Sequence, residues 1–261
     1  MSAFYDETFF CKLNEIAASQ SLPLFRQALT VNNKEVDGFD PVTMADQQTE
    51  AALRAFLQQN RPQDGIFGEE GGIEGGEREF VWVIDPIDGT RAFISGLPVW
   101  GTLVGLLYKG DAIAGMMAQP FTGELFFAND EGSFLRHNGS TQMIKCRDTT
   151  HIEDATLFST APQLLKGKEG EAFAGLEEKA QLTRFGTDCY AFAMLAAGFV
   201  DLVVEVGLKP YDIVALIPII EKAGGVISRW DGGRAEEAGN IVAAATPQLH
   251  EKAMEILAKA I

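Results

Sequence analysis

The sequence predicts a layered α/β (α+β) fold with two sheet regions. Two observations predict it. In the first half, apolar runs of strand length are joined by short turns, whereas after about residue 145 short strands alternate with helices. No repeat, linker or low-complexity tract divides the chain. We therefore expect a single domain over residues 1–261, with an antiparallel-sheet half at about 1–145 and a mixed α/β half at 146–261.

The N-terminal segments are predicted to be helical. Residues 4–29 carry apolar side chains at helical spacing, with a bend at Pro23, and a second helix is predicted over residues 45–59 with Thr43 as its cap. Strands are predicted to follow at 65–67, 80–84, 102–108, 112–118, 125–128 and 133–136. The last four strands form two hairpins across short turns that contain glycine.

Beyond residue 145 strands and helices alternate. Strands are predicted at 157–158, 183–185, 202–206, 226–230 and 241–244. Helices are predicted at 169–179, 189–197 and 212–223, and a last helix is predicted to begin after Thr246 with Pro247 at its first position. This alternation is typical of strands that are covered by helices.

Charge and composition exclude several classes of function. The formal net charge is −16, and a surface this acidic repels nucleic-acid backbones and anionic membranes. Asp201 and Glu205 interrupt the most apolar long stretch, residues 191–206, which argues against a transmembrane helix. The N-terminus lacks the pattern of a signal peptide, and three cysteines without metal spacing fit a reducing compartment. We therefore expect a cytoplasmic protein with no nucleic-acid or membrane partner.

The strongest chemical signal is the run D-P-I-D-G-T at residues 85–90, which directly follows the apolar strand 80–84. Pro86 fixes one backbone angle and Gly89 permits a tight turn, so the two aspartates and a backbone carbonyl can face one point. Hard cations such as Mg²⁺ prefer oxygen ligands of this kind. On its own, however, the run is equally typical of a polar junction between a strand and a turn.

Three further acidic segments favour the functional interpretation. Glu69 and Glu70 end another short strand, residues 40–46 read D-P-V-T-M-A-D before a helix start, and Asp212 opens the predicted helix 212–223. Each segment alone is a weak signal, since an acidic residue at a helix N-terminus is more often a simple cap.

Together, in this order and over most of the chain, the four segments resemble the inositol monophosphatase superfamily of magnesium-dependent, lithium-sensitive phosphatases. The resemblance implies an αβαβα sandwich, in which layers of helices alternate with two sheets. It also implies hydrolysis of a small phosphate monoester with two or three Mg²⁺ ions per active site, inhibition by Li⁺, and a homodimer.

The resemblance further implies roles for individual residues. The metal ligands would be Glu69, Asp85, the carbonyl of Ile87, Asp88 and Asp212. The catalytic residues that orient the attacking water would be Glu69 and Thr90, with Asp46 supporting them from nearby. The phosphate would contact the backbone of Gly89 and Thr90, and Lys34 would be the lysine of the family's loop.

The residue types are consistent with this chemistry. Hydrolysis of a phosphate monoester is extremely slow without a catalyst. Two metal ions can activate the attacking water and stabilise the leaving oxygen. The sequence shows no pattern for a histidine base, a cysteine nucleophile or a P-loop, which favours direct attack by water.

Two acidic residues indicate which leaving group the substrate carries. Glu205, at a strand end, occupies the place that the family uses to contact the leaving alcohol. Asp188, in the run G-T-D-C-Y at 186–190, stands where many inositol phosphatases have a small residue, and Tyr211 stands where many have tryptophan. With residues 88–94, these features resemble the histidinol-phosphate phosphatase branch. Histidinol carries an ammonium group and an imidazole, with which the two carboxylates could pair.

Purely structural interpretations exist for the same residues. Asp188 could cap the helix that follows it, and Glu205 could be a surface acid at the end of a strand. For Phe93, Leu97 and Trp100 we expect only core packing.

The favoured hypothesis is hydrolysis of L-histidinol phosphate to L-histidinol and phosphate, in histidine biosynthesis. The first alternative is an inositol-1-monophosphatase of broad specificity. A phosphatase for 3′-phosphoadenosine compounds ranks lower, because the sequence shows no basic patch for a second phosphate group. A non-catalytic, phosphoester-binding regulatory protein is disfavoured, because the set of metal ligands is complete.

Overall fold

The computed structural model describes residues 4–28, 31–33 and 41–260. The α-helices in these ranges are α1 (Glu7–Ser21), α2 (Met44–Asn60), α3 (Thr90–Ile94), α4 (Gly167–Glu177), α5 (Asp188–Ala196), α6 (Pro210–Ile213), α7 (Leu216–Lys222) and α8 (Pro247–Leu257). Short 3₁₀ helices lie at Ile152–Asp154, Pro162–Leu164, Ala235–Glu237 and Ala258–Ala260. None of the helices described here is both long enough and apolar enough to cross a bilayer.

The strands form three sheets. In chain order they are β1 (Asn32–Asn33), β2 (Pro41–Val42), β3 (Gly65–Gly68), β4 (Gly72–Glu74), β5 (Phe80–Asp88), β6 (Gly101–Tyr108), β7 (Asp111–Gln119), β8 (Glu124–Asn129), β9 (Gly132–His137), β10 (Ser140–Met143), β11 (Thr156–Ser159), β12 (Leu182–Phe185), β13 (Leu202–Leu208), β14 (Val226–Arg229) and β15 (Gly239–Ala244). Within the described ranges, the two shortest strands, β1 and β2, pair with each other and with no other strand.

The larger sheet has eight strands in the order β10-β9-β8-β7-β6-β5-β3-β4. Its neighbours are antiparallel except β3 and β5, which run parallel with Gly68 opposite Ile84. Because parallel strands end at the same edge of a sheet, the chain leaves β3 at Glu69 beside the acidic end of β5. The pairing of β5 with β6 shifts register between Asp85 and Asp88, and such an irregularity re-aims side chains.

The smaller sheet has five strands in the order β12-β11-β13-β15-β14. β11 runs parallel to both of its neighbours, whereas β15 is antiparallel to β13 and β14. The pairing of β13 with β15 also shifts register, between Glu205 and Leu208. The eight-stranded and the five-stranded sheet therefore each have an irregular strand at the position of predicted site residues.

The predicted αβαβα order of layers is confirmed. Phe10 of α1 and Leu53 of α2 pack with Trp82 against one face of the larger sheet. Helices α5 and α7 contribute to a second apolar cluster, which includes residues of both sheets. Phe173 of α4 and Leu249 of α8 pack against the smaller sheet in a third cluster. Apolar burial on both faces of each sheet holds the layers together.

Two local predictions need correction. The predicted helix 212–223 is two helices, α6 and α7. Pro218 explains the break, because it lacks the N–H that would bond to the carbonyl of Val214. Leu97 was expected in the core but is 54% exposed, because the chain turns at Gly96 after α3 and carries this residue to the surface. Phe93 and Trp100 are buried as predicted.

Some elements were not predicted at all. These are β1, β2, β4, β10, α3 and the 3₁₀ helices, each of which has five residues or fewer. Strands β4 and β10 lie at opposite edges of the larger sheet and are mostly exposed, so they lack the apolar alternation that predicts a strand.

Two paired glycines allow the α6–α7 segment to lie directly on the larger sheet. Gly105 of β6 is opposite Gly115 of β7. A Cβ atom on Gly105 would lie 2.7 Å from the backbone nitrogen of Ala215, and one on Gly115 would lie 2.2 Å from the carbonyl oxygen of that residue. The glycines therefore set the height of the helix break above the sheet, and with it the position of Asp212, three residues earlier.

We expect Gly115→Ala to lower the free energy of unfolding by about 1–3 kcal/mol, since the backbone of Ala215 must shift to admit the methyl group. Urea unfolding measures this. The control is Gly175→Ala in α4, where the new Cβ would lie 3.3 Å from a side-chain methyl of Ile256. This variant should be neutral or more stable by up to about 1 kcal/mol. Wild-type stability in Gly115→Ala would contradict the close contact.

Candidate active site

Three carboxylates converge at one edge of the larger sheet. Asp85 and Asp88 come from the end of β5, and Asp212 comes from α6. One oxygen atom from each lies within 4.8 Å of the other two. Asp85 is buried, whereas the other two are partly exposed. These three residues form the carboxylate triad of the site.

The end of β5 is held by local hydrogen bonds. The N–H of Ile87 donates to Oδ1 of Asp85 at 3.0 Å, and the hydroxyl of Thr102 donates to the carbonyl of Pro86 at 2.8 Å. Gly89 then has φ +82°, a left-handed conformation that turns the chain into α3. The hydrogen bonds and the turn together fix the backbone conformation of the predicted run D-P-I-D-G-T.

The other two members of the triad are tied to helix N-termini. The N–H of Lys209 donates to Oδ2 of Asp212 at 2.7 Å, which caps α6. The N–H of Cys189, in the first turn of α5, donates to Oδ2 of Asp88 at 2.6 Å. Edge-to-face packing of Tyr211 on Phe67 further ties α6 to β3. Each of the two hydrogen bonds orients a carboxylate and leaves other lone pairs of that carboxylate available.

The three carboxylates of the triad repel one another electrostatically. Burial raises the pKa of Asp85 well above its usual range, and the charges of Glu69, Asp88 and Asp212 raise it further. The pKa of Asp88 is also raised well above its usual range, by burial and by the charges of Asp188 and Asp212, although the bonds from Cys189 oppose this. A bound cation would remove this repulsion. Because all the donors are oxygen atoms, the site fits a hard divalent cation such as Mg²⁺.

Glu69 and Thr90 lie beside the triad. Glu69 follows β3, and its N–H donates to the carbonyl of Ile84 at 3.1 Å. The hydroxyl of Thr90 is 3.0 Å from the carbonyl oxygen of Ile87 and 3.4 Å from Oδ1 of Asp46. Both residues line the same cavity as the triad.

Asp46 lies buried behind Thr90, in the first turn of α2. Its Oδ2 accepts hydrogen bonds from the N–H and the hydroxyl of Thr43, at 2.8 and 2.7 Å. The bond from the N–H of Thr43 is one half of the capping box of α2, so Thr43 caps this helix as predicted. Asp46 therefore connects the start of a helix to the hydroxyl of Thr90.

The same cavity, of about 220 Å³, extends from the triad to the smaller sheet. Glu205 of β13 is 2% exposed and accepts a hydrogen bond from the hydroxyl of Thr160 at 3.0 Å. Burial raises its pKa to about 8. Asp188 begins α5 with φ +43°, a conformation that is strained for a residue with a side chain. Burial raises the pKa of Asp188 to about 6, and the charge of Arg91 opposes this.

The cavity contains nearly all of the predicted site residues. Those that line it are Glu69, Asp85, Ile87, Asp88, Gly89, Thr90, Asp188, Glu205 and Asp212. Lys34 lies outside the described residues. The structural alternatives for the two acidic residues are wrong in detail: Glu205 is not on the surface, and the carboxylate bonded to the N–H of Cys189 in α5 is that of Asp88 rather than Asp188.

Sequence reasoning missed several residues of the cavity wall. These are Arg91, Thr160, Leu164, Val206 and Leu208. Arg91 could have been found, because it directly follows the strongest motif. Thr160 and Leu164 carry no local signal, since they reach the cavity only because β11 pairs with β13.

Comparison with known proteins places the chain in a family. Residues 7–261 match the Inositol monophosphatase family. The protein named bifunctional phosphatase IMPL2, chloroplastic, of Arabidopsis thaliana is 41% identical over 244 residues, which cover 89% of this chain and 69% of that protein. A protein of Chlorobaculum parvum named histidinol-phosphatase is 34% identical over 222 residues, which cover 85% of this chain and 84% of that one.

A solved structure agrees with these sequence matches. An inositol monophosphatase from Zymomonas mobilis aligns with a TM-score of 0.87 at 37% identity, over 99% of this chain and 100% of that chain. The fold, the carboxylate triad and the family match point to the same chemistry. The chain belongs to the inositol monophosphatase family and is a metal-dependent phosphomonoesterase of that family.

Proposed function

We propose that the chain hydrolyses L-histidinol phosphate to L-histidinol and phosphate. The observation that carries this proposal is the presence of two acidic residues, the buried Glu205 and the partly buried Asp188, in the cavity that contains the carboxylate triad. The relatives include both a histidinol-phosphatase and an inositol monophosphatase. The choice between these substrates therefore depends on the cavity wall.

The metal ligands in this proposal are Glu69, Asp85, the carbonyl of Ile87, Asp88 and Asp212, with two or three Mg²⁺ ions per site. Bound Mg²⁺ would lower the pKa of water and stabilise the charge on the phosphate oxygens. The phosphate would also contact the backbone of Gly89 and Thr90, where β5 turns into α3.

Thr90 and Glu69 would orient the attacking water. The single proton of the Thr90 hydroxyl is directed at the carbonyl of Ile87, 3.0 Å away, or at Asp46, 3.4 Å away. Its oxygen is then an acceptor for a proton of the water. The carboxylate of Glu69 would accept the other proton, so that a lone pair of the water faces the phosphorus atom.

The leaving group would lie against Asp188 and Glu205. The ammonium and the imidazole of histidinol can each pair with a carboxylate, whereas the hydroxyls of inositol carry no charge. Leu164, Val206 and Leu208 supply apolar surface in the same wall, and this suits the faces of an imidazole ring better than a polyol.

An inositol 1-phosphatase of broad specificity is the second candidate. The observation that favours it is the 37% identity with the inositol monophosphatase from Zymomonas mobilis, over nearly the full length of both chains. Both candidates share the metal chemistry, so only substrate preference distinguishes them.

We expect histidinol phosphate to exceed inositol 1-phosphate in kcat/KM by about 100-fold or more, equivalent to about 2.7 kcal/mol of transition-state preference. Phosphate release from each ester, with Mg²⁺ and with EDTA, measures this. Activity with either ester should disappear in EDTA. Equal or better turnover of inositol 1-phosphate would contradict the proposed substrate and leave the metal chemistry intact.

The variant Asp188→Ala tests whether Asp188 determines this substrate preference. Its KM for histidinol phosphate should rise by about tenfold or more, because a charge-assisted contact to the substrate is lost. Its KM for inositol 1-phosphate should stay within about twofold of wild type. Asp188→Asn, which keeps the size of the side chain, should behave in the same way. A parallel rise for both esters would show that the residue has only a structural role.

We expect Asp212→Asn to lower kcat by about 100-fold or more, because the triad loses a charge that the cation requires. Titration with Mg²⁺ should show weaker activation in the same variant. The control is Asp231→Asn, which removes an acidic residue paired with Arg229, away from the cavity. Unchanged phosphate release in Asp212→Asn would rule out the proposed ligand set.

We expect Glu205→Gln to stabilise the metal-free protein increasingly as pH rises from 5 to 8. The folded protein holds the proton of Glu205 with a pKa of about 8, against an ordinary value of 4.5. The wild-type protein therefore has its full stability at pH values below the ordinary pKa of Glu205. It loses stability as pH rises through the folded pKa of about 8. The charges of Asp188 and Asp88 contribute to this, and Thr160 opposes it.

The expected gain at pH 8 is on the order of 2–4 kcal/mol, measured by thermal unfolding in EDTA. The exposed Glu255 provides the control, since Glu255→Gln should change stability little at any pH in this range. A gain that is independent of pH would exclude titration of Glu205 as the cause.

A further inference from the structure

Glu50 is a buried carboxylate that the chemistry described so far does not use. It lies on α2 and is 2% exposed. Its Oε2 accepts the N–H of Glu70 at 2.7 Å, and its Oε1 accepts the N–H of Gly71 at 2.8 Å. Oε1 also accepts Nε of Arg54 at 2.7 Å. The carboxylate therefore fixes the two peptide units that follow Glu69.

The segment around Glu69 is shaped to admit this carboxylate. A Cβ atom on Gly68 would lie 2.2 Å from Oε1 of Glu50, and one on Gly71 would lie 2.8 Å from the same oxygen. The glycines on either side of the Glu69-Glu70 pair thus leave room for Glu50 to contact the backbone. Arg54 also donates to the carbonyl of Gly72, which extends the same network.

Three successive backbone N–H groups have acceptors as a result. The N–H of Glu69 donates to the carbonyl of Ile84 in β5, and those of Glu70 and Gly71 donate to Glu50. Backbone held before and after a residue restricts the directions in which its side chain can point. Glu69 is therefore held against β5 on one side and against α2 on the other.

The same helix also supports Thr90. Asp46 and Glu50 are four residues apart on α2, so they lie on one face of the helix, and both are buried. Asp46 is 3.4 Å from the hydroxyl of Thr90. One helix face thus contacts both of the segments that carry the residues proposed to orient the water.

We propose that Glu50 is a positioning residue that sets the direction of the Glu69 carboxylate toward the cation and the water. This rests on the proposed function, in which Glu69 is a metal ligand and a catalytic residue. Outer residues that orient a metal ligand commonly affect metal affinity or activity by about 10–100-fold. Glu50 touches neither the substrate nor the triad and acts through the backbone of residues 70 and 71.

The test is Glu50→Gln in the full chain. The amide keeps the size of the side chain, but its NH₂ group cannot accept an N–H bond, so the turn must rearrange. We expect kcat to fall by about 10–100-fold, KM to stay within about threefold, and the Kd for Mn²⁺ to rise by about tenfold. Electron paramagnetic resonance of free Mn²⁺ gives this Kd without any measurement of activity.

Asp64→Asn is the matched control. Asp64 is also a buried carboxylate, 6% exposed, that accepts bonds from Nε of Arg61 and Nε1 of Trp82, but it does not line the cavity. This variant should lose thermal stability while keeping wild-type kcat and Mn²⁺ affinity. If Glu50→Gln behaved in the same way, Glu50 would have only a structural role and the proposal would be overturned.

A second variant covers the case in which Glu50→Gln does not fold. Gly71→Ala keeps the charge of Glu50 but forces its carboxylate or Arg54 to move, since the new Cβ would lie 2.8 Å from both. A lower kcat with raised Mn²⁺ Kd supports the proposal, and wild-type values for both overturn it. Failure of the proposed function is recognised separately, because wild-type protein would then turn over inositol 1-phosphate at least as well as histidinol phosphate, whatever the Glu50 and Gly71 variants do.

Discussion

The site depends on one electrostatic constraint, the enforced proximity of three carboxylates. Asp85, Asp88 and Asp212 have oxygen atoms within 4.8 Å of one another, although their negative charges repel. Hydrogen bonds from backbone N–H groups hold all three in place. Two of these bonds come from residues at helix N-termini, where partial positive charge favours an anion. The folding of β5, α5 and α6 thus offsets a repulsion that a bound cation would relieve.

The two larger sheets contribute different groups to the site. The irregular end of β5 supplies two carboxylates of the triad, and the irregular part of β13 supplies Glu205 and the apolar side chains near it. Asp188 lies at the start of α5, next to the residue whose N–H bonds to Asp88. The reacting phosphate and the leaving group would therefore contact different layers of one sandwich, which allows substrate preference to vary while the metal chemistry is kept.

Sequence alone predicted the layered fold and most of the residues that line the cavity. The strand that ends in D-P-I-D-G-T and the hairpins of the larger sheet have strong local patterns, so they could be found. The break before Pro218 follows from the missing N–H of a proline and could also have been found. The exposure of Leu97 and the approach of Thr160 to Glu205 depend on tertiary packing. Glu50 gave no signal of its role for a similar reason. Besides Arg54 on the same helix, its partners are backbone N–H groups of a segment about twenty residues away, and no side-chain pattern records them.

The charge of the cavity wall implies an order of events. Six acidic side chains line it, and Arg91 is the one cationic side chain among the described residues that do so. A phosphate monoester is itself an anion and is repelled by such a wall at any distance shorter than the screening length of the solution. Bound cations would offset this negative charge, so metal loading would favour capture of the ester. The free protein would thus bind cations first, and the loaded protein would bind the ester.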